Sequence, residues 1–178
     1  MSPKDRVIAV FGSGRIKEDH LVYMQAVHLG NLLAKSGYAV CTGGYGGVME
    51  AALKGAAEAG GHTIGVTLNG SRSKPNGWVR KAEPMENWHA RLERLIELGD
   101  GYAILDGGVG TLNEFFMVWE MANKKVHQKP MTVMGGLPAR MAVLLRSEPL
   151  VEDAERPFCA SSPQEAAAFF DEAFGFLL

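Results

Sequence analysis

The chain has 178 residues, 47% hydrophobic and 21% charged, enough for one globular domain with a sizeable core and too few for two. Eighteen Lys and Arg against twenty Asp and Glu leave a formal charge of −2, which gives no general footprint for nucleic acid or an anionic membrane. No run approaches the roughly 18 apolar residues of a membrane span. The opening MSPKDRVIAV is too short and too polar for a signal peptide, and two cysteines make no disulfide framework, so a cytoplasmic protein is expected.

Short apolar runs alternate with helical patterns along the whole length. Arg6–Phe11 reads as a first strand, followed by the turn Gly12-Ser13-Gly14. A helix is predicted from about Asp19 to Lys35, stopped by Gly37. Tyr38–Cys41 is the second strand and feeds into Thr42-Gly43-Gly44-Tyr45-Gly46-Gly47. An Ala-rich helix then ends at Gly60-Gly61, and Thr63–Thr67 is a third strand. Residues 68–84, dense in Gly, Pro, Asn and Ser, read as a loop.

The second half repeats the alternation. A helix over Asn87–Leu98 precedes strand Gly101–Leu105, the loop Gly107–Gly110 and a helix over Thr111–Asn123. Pro130–Met134 is another strand, and Pro138–Arg146 a short helix. Ser162-Pro163-Gln164-Glu165 carries the chemistry of a helix start. Cys41 and Cys159 both sit in apolar runs that read as strands, where a buried structural thiol is the default. Alternating strands and helices imply right-handed crossovers and a mainly parallel, doubly wound Rossmann-like α/β sheet with helices on both faces. Residues 1–178 show no repeat, linker or low-complexity tail, so one domain is expected.

In such sheets ligands bind beyond the carboxyl ends of the strands. Three glycine-rich turns fall there: Gly12–Gly14, Gly43–Gly47 and Gly107–Gly110. Glycine lets backbone approach an anion, and the following helix start offers unpaired N–H groups, so a phosphorylated, nucleotide-like ligand is expected. A dinucleotide fits poorly: Lys17 stands where the fingerprint needs its third glycine, and Cys41-Thr42 puts no acid at the end of the second strand. No Walker loop is present either. Between Arg72 and Arg94, six basic residues (Arg72, Lys74, Arg80, Lys81, Arg91, Arg94) face three acids (Glu83, Glu86, Glu93). That run is either a solvated surface or a basic rim for the anion.

Helical phase singles out two charges. With Trp88, Leu92, Leu95 and Ile96 as the apolar stripe, Arg91 points inward, while Glu93, Arg94 and Glu97 point out. Glu114 lies one turn inside a helix that is apolar almost all round, and its side chain tilts back toward Gly107–Gly110. Residue types alone leave two readings open: a structural Arg91–Glu114 ion pair, or a reactive pair. His20, His28, His62, His89 and His127 show no ligand-like spacing, so no metal site is expected; His89, close to Arg91, is the one that could line the site.

The segment Asp106-Gly107-Gly108-Val109-Gly110-Thr111-Leu112-Asn113-Glu114 resembles the PGGxGTxxE signature of the LONELY GUY (LOG) family, often mislabelled as possible lysine decarboxylases. Thr42–Met49 is similar to that family's GGGxxGxM loop, and Arg91 precedes Asp106 by fifteen positions, as the family's catalytic arginine precedes the motif's proline. The likeness runs from the first strand to about Pro130. It implies a Rossmann-like homodimer that hydrolyses nucleoside 5′-monophosphates, of the cytokinin riboside or AMP type, to base and ribose 5-phosphate without a cofactor. Carried over, Arg91 and Glu114 would be the catalytic pair, with Arg91 keeping Glu114 ionised. Gly12, Ser13, Gly43, Gly44, Gly46, Gly47, Met49, Gly107, Gly108, Val109, Gly110 and Thr111 would hold the phosphate and substrate. The chain departs from the pattern at Asp106, at Leu92 in place of a lysine, and at Asn113 in place of a glutamate. Asp106 would oppose an anion unless it caps the turn or faces away. Those departures leave room for a non-catalytic binder resembling the molybdenum cofactor carrier proteins. A decarboxylase is disfavoured, since no lysine stands out as a pyridoxal anchor.

Overall fold

The computed structural model describes residues 6–148, 151 and 157–176, so the polar opening segment 1–5 lies outside the description. The five strands expected with stated bounds appear within a residue at each end: β1 (Val7–Phe11), β2 (Ala39–Thr42), β3 (Thr63–Leu68), β5 (Gly101–Ile104) and β6 (Met131–Met134). Two edge strands complete the sheet, β4 (Lys81–Met85) and β7 (Phe158–Ala160). The helices are α1 (Leu21–Lys35), α2 (Val48–Glu58), α3 (Trp88–Leu98), α4 (Val109–Asn123), α5 (Gly136–Arg146) and α6 (Pro163–Ala173).

β4 corrects the reading of 68–84 as loop throughout. Its sequence KAEPM has no β-branched residue, and Lys81, Ala82 and Pro84 are exposed. Such a strand exists only because β3 pairs with it over five residues, and Pro84 is tolerated because the outer side of an edge strand needs no N–H donor. Helix starts also move. His20 caps α1, its Nδ1 accepting from the Val22 N–H at 3.1 Å. α4 begins at Val109 rather than Thr111, and α5 at Gly136 rather than Pro138. At α6 the local chemistry reads through: Ser162 Oγ accepts from the Glu165 N–H at 3.2 Å.

The strand order is β4-β3-β2-β1-β5-β6-β7, and every pairing is parallel. The order reverses between β1 and β5, so their carboxyl ends flank the crevice where doubly wound sheets bind ligands. Alternate residues of the central strands feed two cores: Ile8, Val10, Val40, Ala103 and Leu105 pack with α1, α2 and α6, while Ala9, Phe11, Cys41, Tyr102 and Ile104 pack with α3, α4 and α5. Cys41 is buried and Cys159 half-buried, both as thiols. Among the described residues, no helix is long and apolar enough to cross a membrane.

α1 and α2 meet backbone to backbone. A Cβ on Gly55 would overlap the Val27 carbonyl oxygen, and one on Gly30 the Ala52 carbonyl. Backbone cannot swing aside as a side-chain tip can, so Gly55→Ala must separate the helices. The expected loss is about 2–3 kcal/mol in urea unfolding. A loss below about 0.5 kcal/mol would show that the crossing is loose.

Candidate functional site

The three glycine loops converge on Ser13. Its N–H donates to the Asp106 carbonyl at 3.0 Å, and its own carbonyl accepts from the Val48 N–H at 2.9 Å. One residue after β1 thus ties the loop after β5 to the start of α2. Gly12 lies against Val48, where an added Cβ would sit 2.5 Å from its Cγ1. Met49 bridges the first two loops from below, its sulfur 2.7 Å and its methyl 3.1 Å from where Cβ atoms of Gly43 and Gly14 would be. Gly44 and Gly47 hold φ of +74° and +67°, so the second loop can take this path only with glycine at those corners. Gly46 packs against the Gly14 carbonyl across the same junction.

The third loop is the most open. Gly108, Val109 and Gly110 are exposed, Val109 at 84%, and nothing would obstruct a Cβ at Gly108 or Gly110. Gly108 is the N-cap of α4 but makes no side-chain cap, and the first turn holds no acid. The helix therefore presents free N–H groups and its positive end to the crevice. Thr111, 4% exposed, turns its hydroxyl toward Gly107 beneath that turn. Starting α4 two residues early places Val109, Gly110 and Thr111 inside the first turn.

Asp106 does not face this anion-binding end. Its Oδ1 accepts from the Leu137 N–H at 3.0 Å and so caps α5. Gly136, at φ +62°, passes so close that a Cβ there would collide with the Asp106 carboxylate. The replacement of the motif proline is thus absorbed by the neighbouring connection.

Arg91 is 6% exposed, as helical phase predicts. Its Nε donates to the Val66 carbonyl at 2.8 Å, and the guanidinium carbon lies 5.6 Å from the Tyr45 ring and 5.4 Å from the Trp88 ring. Nη2 sits where a Cβ of Gly43 would be. Burial pulls its pKa down while Glu114 raises it, and an arginine remains cationic throughout. A buried guanidinium is costly without an anionic partner, and Glu114 acts on it through space.

Glu114 sits one turn into α4. Its pKa is pushed up to about 7, first by burial, with Arg91 pulling it back. No ion pair joins the two among the described residues; they interact through space. This corrects two expectations. The structural ion pair does not form, and Arg91 does not hold Glu114 fully ionised, because desolvation outweighs its pull.

Other expectations also shift. The basic rim is consumed by structure: Arg94 binds Glu83 at 2.7 Å and Glu97 at 3.1 Å, Lys81 binds Glu83 at 2.6 Å, and Arg80 reaches the Gly61 carbonyl at 3.1 Å. Of the six basic residues only Arg91 is buried, and Arg72 and Lys74 are exposed. Trp88, placed in the apolar stripe by phase, is the first residue of α3 and is 68% exposed. α4 is buried on one side only, with Met117 exposed. His89 is exposed. Tyr45 was missed as a site residue, although an aromatic inside a glycine loop could have signalled it.

The SLOG cluster4 family matches residues 5–149, which hold all three loops, Arg91 and Glu114. The chain belongs to the SLOG cluster4 family. That group is LOG-like, in agreement with the signature at Asp106–Glu114. An uncharacterized protein of Archaeoglobus fulgidus is 30% identical over 73% of this chain and 84% of its own length. The cytokinin riboside 5′-monophosphate phosphoribohydrolase of Rhodococcoides fascians is 29% identical over 60% of this chain and 56% of its own. The pyrimidine/purine nucleotide 5′-monophosphate nucleosidase of Escherichia coli K12 is 33% identical over 61% of this chain and 25% of its own. The chain therefore spans about half or less of these hydrolases. Among solved structures, the molybdenum cofactor binding protein of Rippkaea orientalis superposes with a TM-score of 0.80 at 25% identity, covering 96% of this chain and 98% of that one. The molybdenum cofactor carrier protein of Chlamydomonas reinhardtii gives 0.77 at 26% identity, covering 96% and 99%.

Proposed function

We propose that this protein is a phosphoribohydrolase that cleaves the N-glycosidic bond of a nucleoside 5′-monophosphate. The observation that carries this reading is the arrangement at the start of α4: an uncapped helix end with Glu114 one turn inside it and the buried Arg91 acting on that carboxyl, whose pKa burial pushes up to about 7. A group that titrates near neutrality can move a proton in the reaction without a large free-energy cost. The α4 N-terminus receives the 5′-phosphate and Arg91 adds a positive charge in the crevice. As the bond from C1′ to the base breaks, the electron pair leaves with the base and the sugar becomes oxocarbenium-like. The ionised Glu114 stabilises that positive charge and takes a proton from the water that attacks C1′, giving ribose 5-phosphate; the departing base takes up a proton.

A second reading has its own support. The carrier proteins match nearly the whole chain, whereas the hydrolases match part of it. In that reading the same crevice holds a phosphorylated ligand without cleaving it.

One assay separates them. Purified protein is incubated with a panel including AMP and isopentenyladenosine monophosphate, and released base is measured by chromatography. Wild type should release base, and Glu114→Gln and Arg91→Ala should each lower kcat by about 10²-fold or more. The rate should rise with pH through about 7, as Glu114 ionises. Binding without release from any substrate would reject the hydrolase and favour the carrier.

A further inference from the structure

Trp88 is a large aromatic left in water at the mouth of the crevice, and the proposed chemistry gives it no task. Leaving an indole exposed forgoes a substantial burial gain, so an unpacked tryptophan beside a functional arginine calls for a partner. Two aromatic rings, Tyr45 and Trp88, lie within 6 Å of the Arg91 guanidinium. Tyr45 is half-buried and fixed: its hydroxyl accepts from the Leu68 N–H at 2.9 Å, and its carbonyl accepts from Asn76 Nδ2 at 2.8 Å. The Arg91 guanidinium carbon is 5.6 Å from the Tyr45 ring and 5.4 Å from the Trp88 ring. Trp88 is 68% exposed. Its helix start is held rigid by Asn87, whose side chain accepts from the Ala90 N–H at 3.0 Å. A preorganised aromatic next to a cation, with ring surface still open, is suited to a flat heteroaromatic ring that stacks on the indole.

We propose that Trp88 is the stacking platform for the aromatic ring of the ligand and selects phosphorylated compounds that carry such a ring over bare sugar phosphates. The proposal rests on reading the crevice as a site for a phosphorylated heteroaromatic ligand. It divides recognition in two, with the phosphate held at the start of α4 and the ring held beside Arg91 by Trp88. Ribose 5-phosphate, which lacks the ring, would gain nothing from the platform and would leave readily once formed.

The test uses the full chain with Glu114→Gln, so that AMP persists, and compares it with the same chain carrying Trp88→Ala or Trp88→Phe. AMP and ribose 5-phosphate are titrated by calorimetry, and tryptophan emission is followed in parallel. Trp119 is buried and Trp78 half-buried, so emission changes on binding should come chiefly from Trp88. The expected result is quenching by AMP and a loss of AMP affinity of about tenfold or more in Trp88→Ala, with Trp88→Phe within about threefold of its parent. Affinity for ribose 5-phosphate should move by less than about twofold. Equal losses for both ligands would overturn the proposal, because Trp88 would then only support Arg91. Unchanged AMP affinity would overturn it as well. If neither ligand binds before Trp88 is altered, the functional reading itself fails and the platform falls with it.

Discussion

Stability should fall as pH rises from about 4.5 to 7, and Glu114→Gln should remove that fall. In the unfolded chain Glu114 ionises at its ordinary value of 4.5, whereas burial holds the folded group near 7. Below 4.5 both states carry the neutral carboxyl and there is no penalty. Between 4.5 and 7 the unfolded state releases its proton first and gains stability. Above 7 both are ionised and the penalty is constant. A gap of about 2.5 pH units corresponds to about 3 kcal/mol at most. Glu83 acts in a different window: its pKa is lowered by Arg94 and Lys81, so it loses stability only as pH drops below 4.5. His127, pulled below 6.5 by burial and Lys129, gives an opposite slope within the same window. The decisive quantity is therefore the difference between Glu114→Gln and wild type, in which His127 cancels. Urea unfolding at pH 4, 5.5, 7 and 8 should show that difference growing in favour of the variant and levelling above 7. Parallel curves at all four pH values would mean that Glu114 is not desolvated.

The sequence made different parts of this molecule legible for different reasons. The interior strands carry Val, Ile and Ala in short runs that can be satisfied only by burial on both faces, so their positions could be read directly. The edge strand β4 carries none of that signal, because its existence depends on β3 offering an unpaired side. The three loops were legible because glycine at a strand end has few other uses. Arg91 was legible because a helix fixes the phase of its side chains. The supposed basic rim failed for a tertiary reason: β4 brings Glu83 alongside Arg94, and the α2 terminus offers carbonyls to Arg80, contacts that no local pattern encodes. Glu114 failed on sign. Its charged neighbour could be named from the motif, but the ionisation state depends on how much water the carboxyl loses, which only the packed structure specifies.

Gly43→Ala should disable the site while leaving the fold standing. The added methyl would land on Nη2 of Arg91 and lie 2.7 Å from the Met49 sulfur. Both are ends of flexible side chains, so the protein can yield by moving them, unlike the backbone contacts at Gly55. Thermal stability should therefore change by less than about 1 kcal/mol. The function should suffer far more. To make room the guanidinium must swing away from Gly43, which strains its 2.8 Å bond to the Val66 carbonyl and removes its charge from the crevice. Glu114 then loses the one group that lowers its pKa, so the midpoint of the pH–rate profile should rise above about 7. A displacement of this size in a preorganised site is expected to lower kcat/KM by about 10²-fold, close to the effect of Arg91→Ala. The double variant should be no worse than either single one, because both remove the same interaction. Full activity in Gly43→Ala, with an unshifted pH profile, would show that the observed seat of the Arg91 tip is not the one from which it acts.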